Sequence, residues 1–328
     1  MSLAVLGGGS WGTALAGHLC RAGHRVHLWL RETSVAEEIN RHHRNRAYLP
    51  GIELPRELGA TTDLAEAVSA AEAVFVVIPS EFCRGVYRQL RGAVGRESAI
   101  VSCTKGIEID TLRRMTEVAA EEAPGHSLAV LSGPSFALEV AHEQPTTVVV
   151  ASANRTVAEG VQRLVSTRTF RAYSSDDVVG VELAGSLKNV IAIAAGIVDG
   201  LGYGHNTVAA LVTRGLAEIA RLAVAAGARG DTLSGLAGLG DLVLTCTGTL
   251  SRNRRVGQAL GAGKSLADAL AETRMIAEGV RTTLAACALA ERAGIEMPIA
   301  AQMREVLYRG RPPREAVEAL MLRTLKRE

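Results

Sequence analysis

Leu3-Ala4-Val5-Leu6-Gly7-Gly8-Gly9-Ser10-Trp11-Gly12-Thr13-Ala14-Leu15-Ala16 is the stretch whose reading decides the fold. Four apolar residues of strand type run directly into a Gly-x-Gly-x-x-Gly pattern, and helical Ala/Leu spacing begins at Thr13. The 34 glycines of the chain make an isolated match cheap, so the strand before it and the helix after it carry the weight. Gly7 suits the tight turn, Gly9 lets backbone N–H groups approach a pyrophosphate, and Gly12 lets the helix sit close to the strand. The helix N-terminus then faces the anion. This is the pattern of a dinucleotide-binding loop.

Working outward, residues 26–30, 73–78, 99–102, 128–131 and 146–151 repeat the strand character of 3–6, with helical stretches such as 13–22 and 64–69 between them. Near-continuous apolar strands alternating with helices predict an α/β fold, a doubly wound (Rossmann-like), mostly parallel sheet over residues 1–177. After Asp176-Asp177 the strand signals stop. Residues 178–328 read as an all-α second domain, broken by glycines at 200–204, 235–240 and 261–263 and marked by Pro298 and Pro312-Pro313. Open α/β sheets bind ligands outside the carboxyl ends of their strands, so the expected cleft lies where those ends face the helical domain.

Totals agree with two soluble domains. The chain has 328 residues, 48% hydrophobic and 21% charged, which is neither disordered nor too small for sizeable cores. A net charge of +2 gives no case for nucleic acid, and the densest basic run, Arg252 to Arg255, is too short to coat a duplex. Cys20, Cys83, Cys103, Cys246 and Cys287 are widely spaced and form no Cys-x-x-Cys, so neither a disulfide framework nor a metal site is expected. Reduced thiols and a first strand at Leu3, which leaves no room for a leader, fit a cytoplasmic protein. Residues 181–198 are apolar enough to imitate a membrane span. Glu182 and Lys188 lie inside it, and each charge at a bilayer centre costs about 3 kcal/mol, so a buried helix is expected instead.

Which dinucleotide binds is read at the end of the second strand, where Arg31 precedes Glu32. Arginine there suits a 2′-phosphate, whereas an acid serves the ribose hydroxyls. NADP(H) is the favoured expectation, with NAD(H) still open.

Three further segments, with the glycine loop, resemble the NAD(P)-dependent glycerol-3-phosphate dehydrogenase family of bacterial type. They are Ser132-Gly133-Pro134-Ser135-Phe136-Ala137, the run Glu182-Leu183-Ala184-Gly185-Ser186-Leu187-Lys188-Asn189-Val190, and Gly238-Leu239-Gly240-Asp241-Leu242 leading to Ser251-Arg252-Asn253. The likeness runs in order across nearly the whole chain. It implies reversible reduction of dihydroxyacetone phosphate to sn-glycerol 3-phosphate for phospholipid synthesis, by a homodimer. It implies Lys188 as the proton acceptor for the alcohol. Lys105, Gly133, Ser135 and Asp241 are implied as substrate-site residues, with Ser251, Arg252 and Asn253 holding the substrate. Ser10, Trp11, Arg31, Lys105, Ala137, Arg252, Ile276 and Glu278 are implied to touch the dinucleotide. Trp11 stands where the family often has Phe, and either ring can pack there.

The residues support these roles by their own chemistry. Reducing a ketone leaves charge on its oxygen, so an acid–base group near neutrality is required. Lysine in an apolar helix qualifies, since desolvation disfavours its charged form. Lys105, Lys188, Lys264 and Lys326 are the only lysines, although Lys and Arg together number 36. A sequence that otherwise uses arginine keeps lysine where a proton moves or a compact ammonium must fit. Asp241 has two readings, a partner for Lys188 or a helix N-cap. Ser251 likewise reads as a cap, or with Arg252 as part of a phosphate receptor.

Overall fold

In the computed structural model the described residues are 1–271 and 277–325. They fall into two units, residues 1–108 with 113–182, and residues 109–112 with 183 onwards. The first holds eight strands: β1 (Ser2–Leu6), β2 (Arg25–Trp29), β3 (Gly59–Thr61), β4 (Ala73–Val76), β5 (Ala99–Ser102), β6 (Ser127–Ser132), β7 (Thr146–Ala151) and β8 (Phe170–Ser175). They form one sheet in the order β3-β2-β1-β4-β5-β6-β7-β8. β1 is paired parallel with β2 on one side and β4 on the other, so Leu3 faces both Val26 and Ala73. The order reverses beside β1, which makes its carboxyl end the switch point where ligands bind in such sheets. β7 runs antiparallel to β6, with Val130 opposite Ala151, and β8 follows β7 in parallel.

Alternation along β1 explains the two-sided cover. Leu3 and Val5 join one core cluster with Ala14, Leu15 and Leu19 of the helix Ser10–Arg21. Ala4 and Leu6 point the other way, into a cluster with Cys83, Val86, Tyr87 and Leu90 of the helix Ser80–Leu90. A strand apolar on both faces is stable only between two helical layers. Each fully buried leucine contributes about 2 kcal/mol to that arrangement.

β3 and β8 lie outside the six strands expected from sequence, and both are sheet edges. β3 is only Gly59-Ala60-Thr61, too short to show a period. In β8 Phe170 and Ala172 are buried while Arg171 and Tyr173 are exposed, the pattern of a strand covered on one face. Polar residues on its open face hide such a strand among loop signals.

The helix Val178–Gly200 begins in the first unit. There the buried Glu182 carboxylate accepts from Thr116 N at 2.8 Å and Thr116 Oγ1 at 2.6 Å, and it pairs with Arg114. Burial pushes this carboxyl up, against the pull of Arg114 and Thr116.

The second unit is helical, with Val178–Gly200 continuing as its spine. By length and composition this helix is apolar enough to cross a membrane, but its apolar window is 100% buried inside the protein. At several glycines other backbone lies directly against it. A Cβ on Gly196 would stand 1.9 Å from Arg254 O, and one on Gly200 would stand 2.3 Å from Gln258 O. Reciprocally, a Cβ on Gly257 would lie 2.0 Å from Ile193 O and one on Gly261 2.5 Å from Ile197 O. The helices Val178–Gly200 and Arg252–Gly261 therefore touch main chain to main chain through two glycine pairs spaced four apart. Gly279 brings a further helix against the Asn189 main chain, and Gly215 brings another against the Ile191 side chain.

Candidate active site

In the first unit the glycine loop has the geometry its sequence predicts. Gly7 has φ +126°, and a Cβ there would stand 2.3 Å from Val77 O. Its N–H donates to Trp29 O at 2.8 Å. A Cβ on Gly12 would fall 1.8 Å from Gly7 O, so only glycine lets the helix start this close to the turn. Gly9 differs, with nothing within 4 Å of its would-be Cβ. The helix Ser10–Arg21 starts from Gly9 without a side-chain cap, leaving first-turn N–H groups for an anion. Tight glycines on the protein side and an open one at the helix start fit a bound pyrophosphate. Trp11 is half-buried, and its buried indole N–H has no partner among the described residues. Ala137 opens a helix, Ala137–Ala141, that packs on Ser10–Arg21.

A turn at 45–49 clamps this loop. Asn45, wholly buried, donates to Gly8 O at 2.9 Å and Thr13 Oγ1 at 2.8 Å. Its side-chain Oδ1 accepts from Tyr48 N at 3.1 Å, and Ser10 Oγ donates to Tyr48 O. Just beyond β2, Arg31 is exposed with its guanidinium 5.2 Å above the Phe82 ring, while Glu32 Oε1 accepts from Tyr48 OH at 3.0 Å.

Beyond the carboxyl ends of β5 and β6, Lys105, Gly133 and Ser135 come together. Lys105 Nζ and Ser135 Oγ both donate to Gly133 O, each at 2.9 Å. Gly133 has φ +134°, and a Cβ there would meet Val148 Cα at 3.0 Å, so the carbonyl can turn to these donors only without a side chain.

In the second unit Lys188 is 4% exposed and Asp241 1%. Lys188 Nζ donates to Asp241 Oδ1 and, at 2.7 Å, to Thr245 Oγ1. Thr245 Oγ1 in turn donates to Asp241 O at 2.6 Å. Asp241 is the first residue of the helix Asp241–Thr247, one position after its N-cap Gly240, and its carboxylate accepts from the lysine. A π-helical turn, Leu236–Gly240, delivers it. A Cβ on Gly238 would stand 2.1 Å from Leu233 O, which explains that glycine of the motif.

Ser251 caps the helix Arg252–Gly261, its Oγ accepting from Arg254 N at 3.2 Å. Arg252 has no carboxylate partner among the described residues. Burial, then the charge of Arg255, pushes it down to about 10. A desolvated guanidinium without a counter-charge is a receptor for an anionic ligand. Asn253 is engaged internally, donating to Asn189 Oδ1 at 2.9 Å and accepting from Gly279 N at 3.0 Å. Glu278 opens the helix Glu278–Ala293, and Ile276 lies outside the described residues.

Sequence reasoning passes over Thr245, Asn45 and Tyr48. Thr245 sits at i+4 from Asp241, a legible helical neighbour. Asn45 and Tyr48 lie in Arg44-Asn45-Arg46-Ala47-Tyr48, which reads as a solvated loop.

Residues 2–158 match the model for the NAD-dependent glycerol-3-phosphate dehydrogenase N-terminus, and residues 177–318 match that for its C-terminus. A glycerol-3-phosphate dehydrogenase (NAD(P)+) of Geobacter sulfurreducens is 52% identical over 329 residues, covering 99% of this chain and 98% of its own. One from Anaeromyxobacter dehalogenans is 53% identical over 332 residues, covering 100% of both. The crystal structure of glycerol-3-phosphate dehydrogenase from Coxiella burnetii superposes with a TM-score of 0.95 at 42% identity, covering 98% of this chain and 99% of its own.

Proposed function

The chain belongs to the NAD-dependent glycerol-3-phosphate dehydrogenase family, and on that premise we propose how its residues divide the work of the reaction. The enzyme interconverts dihydroxyacetone phosphate and sn-glycerol 3-phosphate with NAD(P)H or NAD(P)+. Nicotinamide supplies or accepts the hydride, and the protein must bind, orient and move a proton.

Lys188 is the proton donor to the substrate oxygen in reduction and the acceptor in oxidation. The carrying observation is its ammonium, 4% exposed and held by Asp241 and Thr245. Asp241 and Thr245 fix where Nζ points, so little reorganisation accompanies proton transfer. Arg252, with Ser251 and Asn253 fixing the start of its helix, receives the phosphate of the substrate. Binding that remote dianion orients the carbonyl without taking part in the chemistry. Lys105, Gly133 and Ser135 complete the substrate contacts. Gly7, Gly9, Ser10, Trp11, Gly12, Arg31 and Ala137 serve the dinucleotide, with Lys105, Arg252, Ile276 and Glu278 contributing.

Arg31, exposed and without an ion pair among the described residues, supports NADP(H) as the preferred cofactor. The reading extends to residues 1–177 as the dinucleotide-binding domain and 178–328 as the substrate domain, to a cytoplasmic homodimer, and to supply of glycerophospholipid synthesis. Replacing Lys188 with Ala tests the central claim. Turnover should collapse by about 10³-fold or more while dinucleotide affinity persists. Near-parental turnover would remove Lys188 as the acid–base group.

A further inference from the structure

The turn at 45–49 does no chemistry in this scheme, yet it is bound to the glycine loop from several sides. Asn45 reaches Gly8 and Thr13, and Ser10 reaches the Tyr48 carbonyl, so the Tyr48 main chain is fixed to the pyrophosphate cradle. From that fixed point its hydroxyl donates to Glu32 Oε1 at 3.0 Å. Arg31 is the next residue and carries the opposite charge, but the two are not paired. Its guanidinium lies over Phe82 at 5.2 Å. A cation on a ring face keeps its N–H donors free at the edge. Thus the carboxylate is committed to a tyrosine while the guanidinium remains available.

We infer that Tyr48 is a specificity-determining residue, setting the preference for NADP(H) over NAD(H) by holding the Glu32 carboxylate. The inference rests on Arg31 as the receptor of the 2′-phosphate. Held by Tyr48, the Glu32 carboxylate, though still charged, does not swing in to neutralise Arg31 or to crowd the phosphate. Released, it can do both, and each effect weakens recognition of the phosphorylated ribose only. An unphosphorylated ribose loses nothing, since a free carboxylate can accept from its hydroxyls.

The test uses the full-length enzyme with Tyr48→Phe, which keeps the ring and removes only the donor, alongside Tyr48→Phe/Glu32→Gln and Arg31→Ala. One readout is kcat/KM with NADPH and with NADH at saturating dihydroxyacetone phosphate. The second is calorimetric titration with adenosine 2′,5′-bisphosphate and adenosine 5′-monophosphate, which needs no turnover. Tyr48→Phe should lower the NADPH/NADH ratio and the bisphosphate preference about tenfold, the low end for a charge-assisted bond at a partly exposed site. Adding Glu32→Gln should restore both. An unchanged ratio, a rise, or equal losses for the two ligands would overturn the inference, the last by showing that Tyr48 only packs the loop. Arg31→Ala separates the premise. If it leaves bisphosphate preference intact, Arg31 is not the phosphate receptor. If it abolishes the preference while Tyr48→Phe changes nothing, only the role of Tyr48 falls.

Discussion

Replacing Gly257 with Ala adds one methyl group and tests how finely the helical unit sets the distance between its functional side chains. That Cβ would stand 2.0 Å from Ile193 O and 2.9 Å from Gly196 Cα. Real Cβ atoms do not come within 3.0 Å of such atoms, so the two helices must part by at least 3.0 − 2.0 = 1.0 Å. The moved helix, Arg252–Gly261, carries Arg252, while Ile193 belongs to the helix that carries Lys188. Overpacking costs about 1–3 kcal/mol, offset by about 1 kcal/mol because Ala is the better helix former. Stability should therefore drop by at most about 2 kcal/mol. The larger effect is on catalysis, because a shift of about 1 Å between positioning and reacting groups costs about 10²-fold. Steady-state oxidation of NADPH by dihydroxyacetone phosphate should show that loss in kcat/KM, with urea denaturation reporting stability. Gly160→Ala is the contrast. It lies in the helix Arg155–Val165 with nothing within 4 Å of its would-be Cβ, and should stabilise by about 0.5–1 kcal/mol. If Gly257→Ala keeps kcat/KM within about threefold of the parent, backbone contact does not hold the two groups in place.

Arg252→Ala should raise KM for dihydroxyacetone phosphate by about 10²-fold, with a smaller effect on kcat, and an unchanged KM would count against the phosphate role. Glu218 makes a pH-dependent contribution to stability. It is 3% exposed, accepts from Ile299 N at 2.8 Å and 3.1 Å, and is pushed up by burial from 4.5 to about 7. An acid raised in the folded state favours folding most when protonated. That contribution is full below pH 4.5, is lost as pH rises, and is gone above about 7. The change amounts to about 3 kcal/mol at most. In Glu218→Gln this part of the pH profile of urea midpoints should be flat, and a slope as steep as the parent's would assign the titration elsewhere.

Much of the fold was legible because its determinants are local. The glycine loop is contiguous, and β1 and β4 are apolar on both faces, so each announces itself in a handful of residues. Edges were harder, since β3 has three residues and β8 shows apolar character on one face only. The site divides along the same line. Lys188 stood out by residue type and surroundings, but its pairing with Asp241 joins residues 53 apart, and nothing in spacing alone selects that partner. Asn253 has a similar history. The family resemblance implies it as a substrate ligand, and both ends of its amide are engaged by Asn189 and Gly279, an arrangement only tertiary packing creates. The glycines at 196, 200, 257 and 261 stand in the sequence as two pairs spaced four apart, a spacing that names no partner.

The helix Val178–Gly200 also has a history within synthesis. Its closest cover, Arg252–Gly261, is made 52 residues later by count from Gly200 to Arg252. At about 5–20 residues per second, a ribosome needs roughly 3–10 s to produce it. Throughout that interval the nascent chain presents a segment that satisfies the length and composition of a membrane anchor. Glu182 and Lys188, which in the finished protein are bonded to Thr116 and to Asp241 and Thr245, are then the residues that mark the segment as unfit for lipid. The charges are at work before the enzyme exists.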